Sequence, residues 1–191
     1  MKTRESGMPN EQMWDTFFDP ATILDGLGIH DLGGAIVDLG CGYGTFTIPV
    51  ARKNNGTIYA IDIEAEMIAI VRKKAQKAGL KNVCPVQRDF MAIGTGLPDS
   101  CCDYVMLFNI LHAEEPHKIL TEAKRVLAPG GKAGIIHWIY DASTPRGPAL
   151  SIRPRPEQCL TWLLQAGFKA DGHIIDFPPY HYGLIAEKAV P

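Results

Sequence analysis

No stretch of this chain approaches the ~20 consecutive apolar residues that a membrane span requires. Residues 1–20, "MKTRESGMPNEQMWDTFFDP", hold no continuous apolar core of the kind a secretory leader carries. Charge of one sign is also scarce. The formal net charge is −2 over 191 residues, so there is no basic footprint for nucleic acid and no cationic face for a membrane surface. The five cysteines, Cys41, Cys84, Cys101, Cys102 and Cys159, form no C-x-x-C pair and no metal-ligand spacing with histidine. Such an odd, scattered set suits free thiols in a reducing compartment, which makes a cytoplasmic protein without a metal site the expectation. A small-molecule partner follows from the weak charge. Nothing in the sequence sets the oligomeric state.

The composition that is present, 46% hydrophobic and 21% charged, belongs to an ordinary globular protein. The length suits one packed domain and is short for two. Apolar runs alternate with helix-period segments. "AIVDLG" (35–40), "TIYAIDI" (57–63), "NVCPVQRDF", "CCDYVMLFNIL" (101–111) and "KAGIIHWIY" read as five strands separated by helices, the last of these ending at "APGG". Alternating strands and crossover helices predict a parallel sheet covered on both faces. The closing runs "KADGHIIDF" and "HYGLIAEKAV" are separated only by "PPY". That is too short for a parallel crossover, so the last strand is expected to be antiparallel.

The most informative segment is "VDLGCGYGTF" (37–46), with glycines at 40, 42 and 44 directly after a strand and directly before a helix. A phosphate-cradling P-loop is missing its Lys-Ser or Lys-Thr here. A dinucleotide loop is missing its third glycine: the required position is Thr45 or Thr47, depending on where the count begins. What is present is D-x-G-x-G-x-G. Asp38 would repel a pyrophosphate, yet it suits a ligand carrying an ammonium and a sulfonium. A tight strand-to-helix turn with an incidental acid is the bland alternative.

The chain resembles a class I S-adenosylmethionine-dependent methyltransferase of the branch acting on small molecules. The resemblance runs motif by motif over residues 30–135. "VDLGCGYG" is similar to the family's first motif, which implies that Asp38, Gly40, Cys41, Gly42 and Gly44 surround the methionine part of the cofactor. Asp62 stands 24 residues after Asp38, where acids commonly accept from ribose hydroxyls, and the family uses that position so. The resemblance puts Ile63 against the adenine ring, Asp89 at the adenine amino group with Phe90 beside it, and Asn109 of "FNILH" on the methionine and acceptor side. "VLAPGGKAGI" is similar to the family's turn into the fifth strand. It implies a Rossmann-like, doubly wound, seven-stranded mixed α/β sheet as one domain over residues 35–191, preceded by a helical lid or cap over 1–34. It also implies transfer of a methyl group from S-adenosylmethionine to a small acceptor, leaving S-adenosylhomocysteine.

Methyl transfer from a sulfonium needs alignment first, and a base only where the nucleophile arrives protonated. His112 and His137, at the ends of the fourth and fifth strands, are the candidate bases, each set against a purely structural role. Tyr140 and Arg146 are candidate acceptor contacts, Arg146 because a guanidinium fork suits carboxylate or phosphate. A nicotinamide-dependent oxidoreductase and a non-catalytic binder of the same cofactor are the rival readings.

Overall fold

The computed structural model describes residues 8–190. Two short helices open this part of the chain, α1 (Glu11–Asp15) and α2 (Pro20–Gly26). Asp19 starts α2 by accepting from the Ala21 and Thr22 amides, with Pro20 at a first-turn position where its missing N–H costs nothing. There follow β1 (Ile36–Leu39), α3 (Thr47–Lys53), β2 (Ile58–Asp62), α4 (Ala65–Lys77), β3 (Val83–Gln87), α5 (Phe90–Ile93), β4 (Cys102–Phe108), α6 (Pro116–Val126) and β5 (Leu127–Trp138). A 3-10 turn at Leu150–Ile152 and α7 (Pro156–Gln165) lead to β6 (Phe168–Lys169), β7 (Ile175–Phe177) and β8 (His181–Lys188).

The sheet order is β3-β2-β1-β4-β5-β8, with β6 and β7 on the far edge of β8. β1 to β5 are mutually parallel, and β8 runs antiparallel to β5, from Lys132↔Glu187 to Trp138↔His181. The doubly wound mixed sheet with one antiparallel strand is therefore the fold these residues adopt. Alternation along the central strands divides the core into two layers. Val37, Val105 and Leu107 pack with Leu120 and Leu163, whereas Ile36, Tyr104 and Met106 pack with Leu24, Leu27 and Val50. That two-sided burial is why these strands read as unbroken apolar runs.

Two details depart from expectation. "KADGHIIDF" divides into β6 and β7, giving eight strands where seven runs were read. The register against β8 moves by two residues between Lys169↔Glu187 and Ile175↔Gly183. The intervening residues bulge out through a turn in which Asp171 accepts from the His173 amide at 2.9 Å. β5 also begins at Leu127, one residue ahead of the expected "APGG" stop, and runs through it, because Leu127 already pairs with Cys102 before the register slips at Tyr104↔Lys132.

Residues 1–7 of the expected cap lie outside the described residues, and residues 8–34 divide between two settings. Ile23, Leu24, Leu27 and Ile29 are buried in the core layer of α3, and the Tyr104 hydroxyl donates to the Leu27 carbonyl at 2.8 Å. α1 instead lies over the glycine loop. The Tyr43 hydroxyl donates to the Pro9 carbonyl, the Thr45 hydroxyl to Asp15, and Lys74 pairs with Glu11 at 2.6 Å.

Candidate active site

The glycine loop turns at the carboxyl end of β1 and is held from β2. The Gly40 and Cys41 amides both donate to the Ile61 carbonyl, and the Gly42 amide donates to Asp62 Oδ2 at 2.9 Å. Gly40 has φ 73°, a conformation glycine adopts without strain. A Cβ there would lie 2.9 Å from Ile110 Cγ2, so bare backbone forms the floor of the space above it.

That space is a cavity of about 510 Å³ across the carboxyl ends of β1 to β5, the position where ligands bind in open α/β sheets. One half is walled by Gly40, Gly42, Asp62, Ile63, Glu64, Asp89 and Phe90. Asp62 is only 7% exposed. Burial raises its carboxyl above the ordinary range, opposed by hydrogen bonds from the Glu64 and Gly42 amides. Asp89 starts α5, accepting from the Met91 and Ala92 amides at 3.1 and 3.0 Å.

Asn109 closes this half from β4. It has φ 56° and is 9% exposed, and neither its amide nitrogen nor its amide oxygen has a hydrogen-bond partner among the described residues. Left-handed backbone outside glycine is a cost concentrated at functional sites, and buried polar atoms without partners are rarer still. Donor and acceptor together fit a ligand with amino and carboxylate groups. Backbone floor, ionisable acid, apolar faces (Ile63, Phe90) and unpartnered amide constitute a set into which a nucleoside joined to an amino acid fits.

Three residues of the first motif stand behind this wall. Asp38 is buried beneath the loop and accepts from the Thr47 hydroxyl at 2.5 Å. Burial pushes its carboxyl up to about 7, the Thr47 hydrogen bond working against this and the Asp62 charge with it. Cys41 packs with Ala60, Ile68 and Val71, and burial pushes its thiol up. Gly44 abuts Val71. All three shape the loop from behind and none of them lines the cavity.

The second half of the cavity is apolar and aromatic, formed by Trp14, Phe108, Ile110, Trp138, Pro148 and Ile152 together with His112 and Arg146. His112 Nδ1 lies 3.3 Å from His137 Nε2. His137 is fully buried and does not line the cavity; it reaches the site only through His112. Burial, aided by the charge of Arg153, lowers His112 to about 4, and burial holds His137 well below the ordinary imidazole value. Both rings are neutral at neutral pH. Arg146 stands on the rim as expected. Tyr140 does not line the cavity, its ring lying beneath the Arg155 guanidinium at 3.7 Å.

The sequence places Arg153 with Arg146 and Arg155 on one arginine-bearing loop near the site edge and does not tell their roles apart. Arg153 is 6% exposed, and its guanidinium donates to the carbonyls of Ile139, Asp141, Arg146 and Pro148 and to the Thr144 hydroxyl. It fastens the whole segment that walls the second half. In "SIRPRP" it looks like its neighbour Arg155; only its burial separates them. Glu64 also lines the cavity without having been singled out, since nothing local distinguishes a cavity wall from an ordinary helix start. Phe108 and Ile110 belong to the expected "FNILH" segment and Trp14 to the N-terminal cover. Among the described residues no group of three or more His, Cys, Asp or Glu is arranged to hold a metal ion.

Residues 36–131, half of the chain, match the methyltransferase-domain family. The chain is 29% identical over 138 residues to aklanonic acid methyltransferase DauC of Streptomyces sp. strain C5, covering 66% of this chain and 62% of that protein. It is 29% identical over 119 residues to demethylmenaquinone methyltransferase of Listeria welshimeri, covering 61% of this chain and 48% of that one. It thus spans about half to three-fifths of the length of these relatives. A SAM-dependent methyltransferase from Aquifex aeolicus superposes with a TM-score of 0.82 at 28% identity, over 94% of each chain. The [4+2]-cyclase SpnF superposes at 0.75 and 23% identity, over 98% of this chain and 85% of that one, a likeness of fold alone. The family match removes the nicotinamide alternative. On sheet order, glycine loop and family match together, the chain belongs to the methyltransferase-domain family and has the class I fold of S-adenosylmethionine-dependent methyltransferases.

Proposed function

We propose that this protein transfers a methyl group from S-adenosylmethionine to a small-molecule acceptor held in the same cavity. The observation that carries this reading is the meeting, in one cavity, of a bare glycine floor, Asp62 and the unpartnered Asn109 amide on one side with an aromatic acceptor wall on the other. When bound, the cofactor supplies a methyl group already activated by a cationic sulfur. The protein has to align and desolvate.

In this reading Asp62 accepts from the ribose hydroxyls, Ile63 and Phe90 flank the base, and Asp89 lies toward its amino group. The Asn109 amide meets the amino acid end. Asp38, Cys41 and Gly44 act from behind by holding the loop. His112 faces the acceptor, and His137 fixes its ring. α1 and the residues before it cover the opening through Met8, Pro9 and Trp14. All five cysteines are free thiols, which supports a cytoplasmic setting, and no helix of the described residues is long and apolar enough to cross a membrane.

Titration calorimetry with S-adenosylhomocysteine tests the cofactor half: binding is expected, and none is expected with NAD. A labelled-methyl screen across phenols, carboxylates, amines and thiols then tests transfer. Cofactor binding with no transfer to any class would leave a binding protein of the same fold.

A further inference from the structure

The two halves of the cavity differ in charge. The acids on its wall, Asp62, Glu64 and Asp89, all come from the ends of β2 and β3. Arg88 also lines the wall there, with its guanidinium turned to the Ile93 and Gly94 carbonyls, so this half holds three acids and one base. The acceptor half, at the ends of β4 and β5, presents no carboxylate to the cavity among the described residues. It carries Arg146 on the wall, with buried Arg153 immediately behind. Among the described residues no carboxylate pairs with Arg146, whose Nη2 approaches Met13 Sδ at 4.0 Å. Arg153 spends its donors on carbonyls and a hydroxyl; the Asp141 carboxylate lies near enough to interact with its charge but forms no ion pair with it among the described residues.

From this asymmetry we propose that the acceptor is an aromatic oxyanion, a carboxylate or phenolate, lying against Trp14, Phe108 and Trp138 with its negative charge toward Arg146. This rests on the methyl-transfer reading and names its substrate class. Aromatic rings alone would equally suit an ammonium acceptor through cation–π contact. Two arginines and the missing carboxylate turn the choice to an anion, since a guanidinium offers a forked pair of donors to two oxygens.

The chemistry is consistent with that charge. The acceptor oxygen forms the new O–CH3 bond while the S–CH3 bond breaks and its electron pair stays on sulfur. A sulfonium and an oxyanion become a thioether and a neutral ester or ether, and no proton has to move. A site whose imidazole is held neutral and is tied to a second, buried imidazole is adequate for a nucleophile that arrives ionised. His112 then orients the acceptor by hydrogen bonding.

Three matched probes decide the matter: 2-naphthoate, neutral 2-acetylnaphthalene and cationic 2-naphthylmethylammonium, titrated calorimetrically into the full chain with and without saturating S-adenosylhomocysteine. Naphthoate is expected to bind at least tenfold more tightly than either other probe. Arg146→Gln should remove about tenfold of that affinity and Arg146→Lys less, with S-adenosylhomocysteine affinity held within about twofold. Equal or tighter binding of the ammonium probe, no effect of Arg146→Gln, or no binding of any probe would overturn the proposal. Failure of S-adenosylhomocysteine to bind would instead overturn the cofactor reading, because the order of the three probes reports acceptor charge in either state.

Discussion

The Gly42 amide donates to the Asp62 carboxylate at 2.9 Å, so the tip of the glycine loop is tied to the end of the neighbouring strand. The two residues are expected from their motifs as separate ligand contacts. In the fold they are also each other's partner, and Asp62 holds the Glu64 amide as well. A carboxylate in this position orders the loop before any ligand arrives.

Asp62→Ala therefore removes more than a ribose contact. Two backbone donors, at Gly42 and Glu64, lose their acceptor, at about 1–3 kcal/mol each when buried. Thermal unfolding should show a loss of a few kcal/mol in stability. Calorimetry should show S-adenosylhomocysteine affinity falling by at least tenfold. Affinity within twofold of the parent in a folded variant would contradict the placement of Asp62.

The glycines at 40 and 44 separate binding from folding. Gly40→Ala adds a methyl group at the cavity floor, 2.9 Å from Ile110, at φ 73°. Gly44→Ala adds one behind the loop, 3.0 Å from Val71, at φ 74°. Both cost about 1–2 kcal/mol of backbone strain. Gly40→Ala alone should also depress S-adenosylhomocysteine affinity, by about tenfold or more, once stability is matched by working at lower temperature.

Asp38 makes stability depend on pH. Its folded carboxyl ionises near 7, against an ordinary value of 3.8. Between those values the native state keeps a proton that the unfolded chain has released. Its contribution is therefore complete below the unfolded value and is lost as pH rises through the folded one. Asp38→Asn retains an acceptor for Thr47 and abolishes the titration. In urea unfolding, the variant should gain on the parent by a few kcal/mol from pH 4 to pH 8, with no further gain above that. His112 and His181, lowered to about 4 and about 3, act oppositely in both proteins and cancel in the comparison.

Arg153 is a positioning residue for the acceptor wall. Arg153→Met leaves the carbonyls of Ile139, Asp141, Arg146 and Pro148 without its donors, and Arg153→Lys cannot reach them all with one ammonium. Both should weaken naphthoate binding while leaving S-adenosylhomocysteine affinity nearly unchanged. Arg153→Met should also raise the His112 titration midpoint measured by NMR, because Arg153's charge contributes to holding that ring low. An unshifted midpoint would mean that the guanidinium acts on the loop alone.

Much of the fold was legible because its signals are local. Gly79 ends a helix at φ 68°, with the Leu80 amide closing onto the Ala75 carbonyl at 3.0 Å. Strands buried on both faces read as apolar runs. The division of "KADGHIIDF" was not legible, since a two-residue slip depends on where β8 places its own hydrogen-bonding groups.

The sequence by itself determined the sheet, its antiparallel strand and the loop that marks the cofactor, because period, turn chemistry and glycine spacing are properties of neighbouring residues. Only the tertiary structure decided which of the motif residues face the cavity, that His137 stands behind His112, and that Arg153 and not Arg155 is buried. Those facts depend on residues far apart in the chain converging at the ends of β1, β4 and β5. Burial, and the shifts in charge that follow from it, is a property of that convergence and has no local signature.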